Sequence, residues 1–162
     1  MRALTILTLL LVAIDMGLVL AHALELPGKL RLNEAAYKAT QTIYYPGFTF
    51  GGLVGELGGM IALAVLLYLT PFATSRFWWT AAALVLLLAS HATYWLMTHP
   101  VNNFWVKDVT ASGLGAKFFS TFAATQARDW TQLRNVWELS QVVRAAFAVL
   151  SLISIAVAAT LA

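Results

Sequence analysis

Four long apolar runs constrain the fold of this chain more than any other feature. They cover residues 3–24, 50–70, 77–97 and 135–160, and each is close to the ~20 residues with which a helix crosses a bilayer. A helix also satisfies its backbone hydrogen bonds within the segment, as lipid requires. The sequence therefore predicts an all-α polytopic membrane protein, with residues 1–162 forming one antiparallel bundle of four transmembrane helices.

Composition supports this class and excludes others. Hydrophobic residues make up 60% of the 162 residues, charged residues only 10%, and the mean hydropathy is +0.78. No cysteine is present, which excludes disulfides, thiolate metal sites and thiol redox chemistry. The net charge of +3 does not indicate a nucleic-acid partner, because the basic residues are sparse and lie beside apolar runs.

The two long connections are each predicted to contain a short interfacial helix. In the first, Pro27-Gly28 is typical of a turn, Asn33 of a helix N-cap, and Pro46-Gly47 of the stop after that helix. Residues 117–125 form the candidate helix of the second connection, and Asp129 is a good N-cap for the last span.

The first run also imitates a secretory signal peptide. Arg2 precedes an apolar stretch, and Ala21-His22-Ala23 resembles a cleavage point. Asp15 lies inside the run, however, and no polar start follows the cleavage point. We therefore expect the run to be retained as the first span.

Polar residues concentrate at one end of the predicted bundle. Alternation of the spans brings the ends of the first and third to the same side as the starts of the second and fourth. On the third span, His91, Trp95 and His99 share one helix face before Pro100, which predicts the end of that helix. The other polar residues of this end are His22, Glu25, Glu56, Asn102, Glu138, Gln141 and Arg144.

Depth divides these residues into two tiers. Arg144, Glu56 and His91 each lie about two turns inside their spans, and Asp15 lies slightly deeper. We expect Arg144 to neutralise Glu56 or Asp15, because an unpaired charge inside the bundle is costly. The residues expected nearer the surface, where they form an outer rim, are His22, Glu25, His99, Asn102 and Glu138. Around Glu56, glycines at positions 51, 55 and 59 predict close approach of a neighbouring helix.

The residues leave the chemistry of this end open. His22 and Glu25, with Glu56, His91 and Glu138, supply enough nitrogen and oxygen donors for a non-haem metal. Two histidines near the membrane surface could also ligate haem. The third option is a polar pocket that needs no cofactor, with His91 or His99 as a general base.

Charge asymmetry predicts the orientation. Eight of the ten Lys and Arg residues belong to the side of the polar end, and only Arg2 and Arg76 belong to the other. We expect the bundle to lie in the inner membrane of the cell. The positive-inside rule then places the polar end and both long connections on its cytoplasmic side. The eight are Lys29, Arg31, Lys38, Lys107, Lys117, Arg128, Arg134 and Arg144.

Three segments in order resemble the anthrone-oxygenase-like family of small four-span membrane proteins. They are Ala-His-Ala-Leu-Glu-Leu-Pro-Gly-Lys-Leu at residues 21–30, His-Pro-Val-Asn at 99–102 with Trp105, and Trp-x-x-Leu-Arg-x-x-Trp-Glu-x-Ser-x-x-x-Arg at 130–144. The resemblance covers nearly the whole chain. It implies oxidation of a flat, hydrophobic phenol- or quinone-like molecule, such as a polyketide anthrone, without a classical cofactor.

The positions that match the family's pattern are His22, Asn102, Trp137, Glu138 and Arg144. On this reading His91 or His99 is the base, and Arg144 or Asn102 binds the developing oxyanion. Substrate contacts are predicted for Glu56, Trp95, Trp137, Glu138 and Gln141. Relatives often have His where this chain has Gln141, and glutamine is a poor metal ligand or base, although it can bind a substrate oxygen.

Two other classes of function fit the same sequence. A non-catalytic accessory subunit of a larger membrane complex, or a homo-oligomer, would explain the glycine repeat and the aromatic connections. A membrane module that binds metal, haem or quinone without turnover would explain the histidines. Transport is disfavoured, because the polar residues are confined to one half of the bundle.

Overall fold

The computed structural model describes residues 1–45, 47–106 and 129–161, and in these residues every regular element is helical. Four helices are long and apolar enough to cross a membrane, which confirms the predicted all-α, four-span bundle. They are α1 (Arg2–Lys29), α3 (Gly47–Tyr68), α4 (Ser75–Trp105) and α5 (Trp130–Thr160), with the short helix α2 (Glu34–Ile43) between the first two.

The spans pack as a closed bundle in the half away from the polar end. Helix α5 contacts both α1 and α4, while α3 packs against α1 and, through its second half, against α4. The core of that half consists of apolar and small side chains: Val12, Leu63, Leu66, Ala83, Leu87, Ile155 and Ala158. Lipid is as apolar as this core, so close packing of side chains rather than exclusion of water holds the helices together.

A predicted glycine contact joins α3 to α1. A Cβ added at Gly55 would lie 2.7 Å from the backbone nitrogen of Asp15, and one at Gly51 would lie 2.8 Å from the Leu18 side chain. The absent side chain at Gly55 therefore lets the two backbones approach. This contact fixes Glu56, the next residue, at the inner end of the polar region.

Two helix ends differ from the prediction, and both involve proline. Helix α1 continues through Pro27 to Lys29, so Pro27-Gly28 is not a turn. An ion pair of Lys29 with Glu25 at 2.8 Å joins two residues of this last turn.

The second proline, Pro100, does not end the third span. A π-helical segment, Tyr94–Thr98, precedes it, and the α-helix resumes over His99–Val106. Pro100 thus lies inside a continuous helix, directly after the π-helical segment, where its missing N–H leaves one carbonyl of that segment without an intrahelical bond. A second π-helical segment, Leu53–Leu57, interrupts α3.

The short helix predicted in the first connection is confirmed as α2. The Asn33 side chain accepts a hydrogen bond from Ala36 N at 2.9 Å, as an N-cap does. Helix α2 folds down onto the bundle, where Tyr37 packs with Trp105 and Leu133. The candidate helix at 117–125 lies outside the described residues.

Candidate functional site

A cavity of about 460 Å³ lies in the bundle at the end where the polar residues gather. All four spans and the turn after α2 contribute to its walls. Its polar lining includes seven residues proposed from sequence: His22, Glu56, His91, Asn102, Trp137, Gln141 and Arg144. The alternation of the spans therefore brings residues distant in sequence to one space.

An ion pair forms the inner wall of the cavity. Arg144 Nη2 lies 3.2 Å from Glu56 Oε2, so the structure selects Glu56 from the two predicted partners of Arg144. The same guanidinium donates to Gln141 Oε1 at 3.2 Å and lies over the ring of Tyr94. These contacts hold the positive charge in place beside the cavity.

His91 stands on the other side of Glu56, with its Nδ1 at 3.6 Å from Glu56 Oε1. Its second nitrogen, Nε2, accepts a hydrogen bond from the indole N–H of Trp95 at 2.9 Å. Because Nε2 acts as an acceptor, the neutral ring carries its proton on Nδ1, toward the carboxylate. Trp95 does not line the cavity, and it acts on this site by setting the tautomer of His91.

The outer wall is aromatic and is held by hydrogen bonds. Trp137 Nε1 donates to Asn102 Oδ1 at 2.8 Å, so the Asn102 amide group directs its donor nitrogen elsewhere. His22 packs edge-on against Trp137 and Tyr44, with ring centroids 5.0 and 4.5 Å away, and against Phe48. The wall is thus suited to flat rings.

A buried network ties α2 to the bundle behind this wall. Lys29 Nζ lies 2.8 Å from Glu25 Oε2 and 3.6 Å from Glu138 Oε1, between the rings of Tyr44 and Trp137. Tyr37 donates to Glu138 at 2.7 Å, and Tyr44 donates to Glu25 at 2.5 Å. Burial and the adjacent carboxylates raise the pKa of both tyrosines, so both phenols stay protonated donors.

Several residues proposed from sequence lie outside the cavity. His99 was expected at the rim but is fully buried, and its Nδ1 lies 3.1 Å from the hydroxyl of Tyr94. The wider π-helical turn before His99 rotates this residue away from the helix face that it was expected to share with His91. Glu138 is also buried. Glu138 and Glu25 both contact Lys29, and neither lines the cavity.

Other residues that line the cavity were not predicted from the sequence. Tyr94, Tyr45 and Phe48 line the cavity, as do Leu53 and Leu57 of the π-helical segment in α3. A tyrosine inside an apolar run was a usable signal for Tyr94. The apolar positions carried none, because a lipid-facing leucine and a cavity-lining leucine look alike in sequence.

Four of the five predicted metal donors form two separate pairs, and Glu138 contacts Tyr37 and Lys29 instead. His22 Nδ1 lies 3.7 Å from Glu25 Oε2, and His91 pairs with Glu56. In the described part of the chain no three His, Asp or Glu residues are placed to hold one ion. As placed here, these four donors lie in two pairs and not in one cluster.

Comparisons with models of known protein families, with curated proteins and with solved structures gave no match to this chain. Fold and cavity together define a polytopic α-helical membrane protein with a polar cavity in one half of its bundle. The similarity to anthrone-oxygenase-like proteins remains a prediction from the three sequence segments that carry it.

Proposed function

We propose that the protein binds a flat, hydrophobic phenol- or quinone-like molecule in the cavity and oxidises it with O2, as in the conversion of an anthrone to an anthraquinone. The proposal rests on the side chains that line the two parts of the cavity. Aromatic rings line its outer part, and a carboxylate, an imidazole and a guanidinium meet at its inner part. A flat molecule with one oxygen at its edge matches both parts.

The reaction balances without a further reagent. The carboxylate of Glu56, which faces the Nδ1–H of His91, takes one proton from the substrate CH2 group, and this leaves an enolate. The enolate gives an electron to O2, and the two radicals join through a new C–O bond to form, after protonation, a hydroperoxide. Loss of water breaks the O–O bond and removes the second hydrogen, so that CH2 becomes C=O. One O2 is consumed, with one oxygen atom kept and the other released as water.

The positive charge of Arg144 supports the first step. Deprotonation creates negative charge on the substrate oxygen, and a guanidinium in a water-poor cavity stabilises such charge more than water does. Asn102 can add a hydrogen bond from its amide nitrogen. Since Arg144 is already held by Glu56 and Gln141, it needs no reorganisation when the charge appears.

The test is O2 consumption by protein in lipid nanodiscs, measured with an anthrone and corrected for the rate without protein. We expect His91→Gln and Glu56→Gln each to lower kcat by roughly 10²-fold or more, the usual contribution of a positioned acid or base. Glu34→Gln changes an exposed carboxylate of α2 and is the matched control. Folding of each variant is checked by its unfolding transition.

Full activity in folded His91→Gln and Glu56→Gln would contradict the assigned chemistry. No activity above background in the unaltered protein would contradict the oxygenase. An absorption spectrum and elemental analysis of the purified protein belong to the same experiment, because a stoichiometric metal or a Soret band would replace this mechanism with that of a cofactor.

A further inference from the structure

The cavity is bounded by lipid-facing side chains on one flank. Phe50, Leu53 and Leu57 of α3 line it, yet 64, 54 and 39% of their surfaces are exposed. They follow one another at intervals of three and four residues, so they form a stripe along the helix. A side chain that is exposed and also lines the cavity marks an opening.

The packing of α3 and α4 places this opening in the site half of the bundle. Residues 58–68 of α3 pack against residues 75–93 of α4, whereas residues 47–57 pack against α1. Within the described residues, the two spans thus meet in the half away from the site and part beside it. His91 and Tyr94 line the cavity from the α4 side.

Both π-helical segments border this gap. Leu53–Leu57 lies on one side and Tyr94–Thr98 on the other. A π turn breaks the regular ladder of an α-helix, and such segments are frequent at functional sites. Both irregular backbone segments therefore lie beside the opening, and neither lies in the closed half of the bundle.

On the aqueous side, by contrast, described residues cover the cavity. Tyr44 and Tyr45 of the turn after α2, with Phe48 at the start of α3, line it on this side. Tyr44 is buried and bonded to Glu25, and α2 is fastened through the Tyr37–Glu138 hydrogen bond. Passage from water past Tyr44 and α2 requires these bonds to break, whereas passage between α3 and α4 meets exposed apolar side chains and, at its inner end, the contact of Glu56 with His91.

We propose that the ligand reaches the cavity sideways from the lipid, between the site halves of α3 and α4, and that it is an aromatic molecule dissolved in the bilayer with one polar edge. The polar edge enters first and meets Glu56 and Arg144, while the rings remain against Phe50 and Leu53. The ligand class rests on the proposed function, but the route does not depend on turnover.

The test measures how fast 1-hydroxyanthraquinone, a flat phenol and quinone, quenches tryptophan fluorescence of the protein in nanodiscs. Leu53→Phe with Leu57→Phe narrows the opening without changing the number of tryptophans. Ile61→Phe with Val65→Phe makes the same change on the same helix, at exposed positions that do not line the cavity. We expect association to slow about tenfold or more in the first double variant and to stay unchanged in the second.

A third variant opposes the first. Leu53→Ala with Leu57→Ala widens the opening and is expected to accelerate association. Tyr37→Phe removes a hydrogen bond that fastens α2 on the aqueous side, at a residue that does not line the cavity, and is expected to leave association unchanged. Equal rates in the narrowed, widened and unaltered proteins would overturn the lateral route, as would acceleration by Tyr37→Phe alone. No binding by the unaltered protein would instead contradict the proposed ligand class, and with it the proposed function.

Discussion

Glu56 and Arg144 each carry a charge into the interior of the bundle, where only 7% of either residue is exposed. Their mutual distance of 3.2 Å and the hydrogen bond from Arg144 to Gln141 offset part of the cost of removing them from water. The same low-dielectric setting that makes the pair costly makes the guanidinium effective toward a bound oxyanion. Stability and the proposed chemistry therefore depend on the same two side chains.

Removal of both members of this pair is expected to destabilise the protein by less than the two single removals added together. Arg144→Met and Glu56→Gln should each lower the free energy of unfolding by roughly 3–5 kcal/mol, because each leaves one buried charge without its partner. The double variant should lose less than the sum of the two. The measurement is unfolding in mixed detergent micelles.

The exposed pair of Lys38 and Glu34 gives the contrast for that experiment. Its atoms are closer, at 2.7 Å, but both side chains face solvent. Glu34→Gln should therefore change the free energy of unfolding by about 1 kcal/mol or less. Additive losses in the Arg144 and Glu56 variants would show that the two charges are not coupled.

Tyr37 predicts a dependence of stability on alkaline pH. Burial and the carboxylate of Glu138 raise its pKa above the ordinary value of ~10, so the unfolded chain releases a proton that the folded protein keeps. Its contribution to stability is complete below about pH 10 and decreases as the pH rises above it, by at most ~1.4 kcal/mol per pH unit.

Tyr37→Phe should remove this share of the alkaline slope and also cost roughly 1.5–3 kcal/mol at neutral pH, through loss of the hydrogen bond to a charged acceptor. Unfolding measured at about pH 8 and about pH 11 tests both effects. Tyr44 keeps its own raised pKa in this variant, so part of the slope remains. An unchanged slope would assign the whole effect to other groups.

The shape of helix α3 depends on a missing side chain, at Gly55, and on a π-helical segment. Gly55 admits the backbone of α1, and the π-helical segment that contains it turns Glu56 toward Arg144. Apolar residues surround both features. The position of the Glu56 carboxylate is therefore set by the contact between α3 and α1 and by the π-helical backbone, and an amphipathic sequence pattern does not set it.

Alanine at two glycines separates close approach from helix propensity. Gly55→Ala places a Cβ at 2.7 Å from a backbone atom that cannot move aside, and should lower the free energy of unfolding by roughly 1–3 kcal/mol. Gly17→Ala, where nothing lies within 4 Å, should raise it by roughly 0.5–1 kcal/mol. A stabilising effect at both positions would contradict the contact between α3 and α1.

Hydropathy was sufficient to predict the four spans, and their alternation was sufficient to gather His22, Glu56, His91 and Arg144 at one end. Rotation of each helix about its axis was not predictable. Lipid and bundle core are equally apolar, so Val12, which is buried, and Leu10, which is exposed, carry the same signal in sequence. This ambiguity explains the cavity-lining leucines that were missed, whereas the buried position of His99 follows the π-helical segment before it.

The orientation of the whole molecule remains a prediction from charge, and the cysteine-free chain allows a direct test. Ala35 lies in α2 at the site end, and Ala73 lies in the turn between α3 and α4 at the other end; both are exposed. Because the basic residues favour the cytoplasmic side for the site end, a membrane-impermeant maleimide added to spheroplasts should label Ala73→Cys at once. It should label Ala35→Cys only after permeabilisation. The reverse pattern would place the cavity end outside the cell and would mean that the cation bias of this chain does not set its topology.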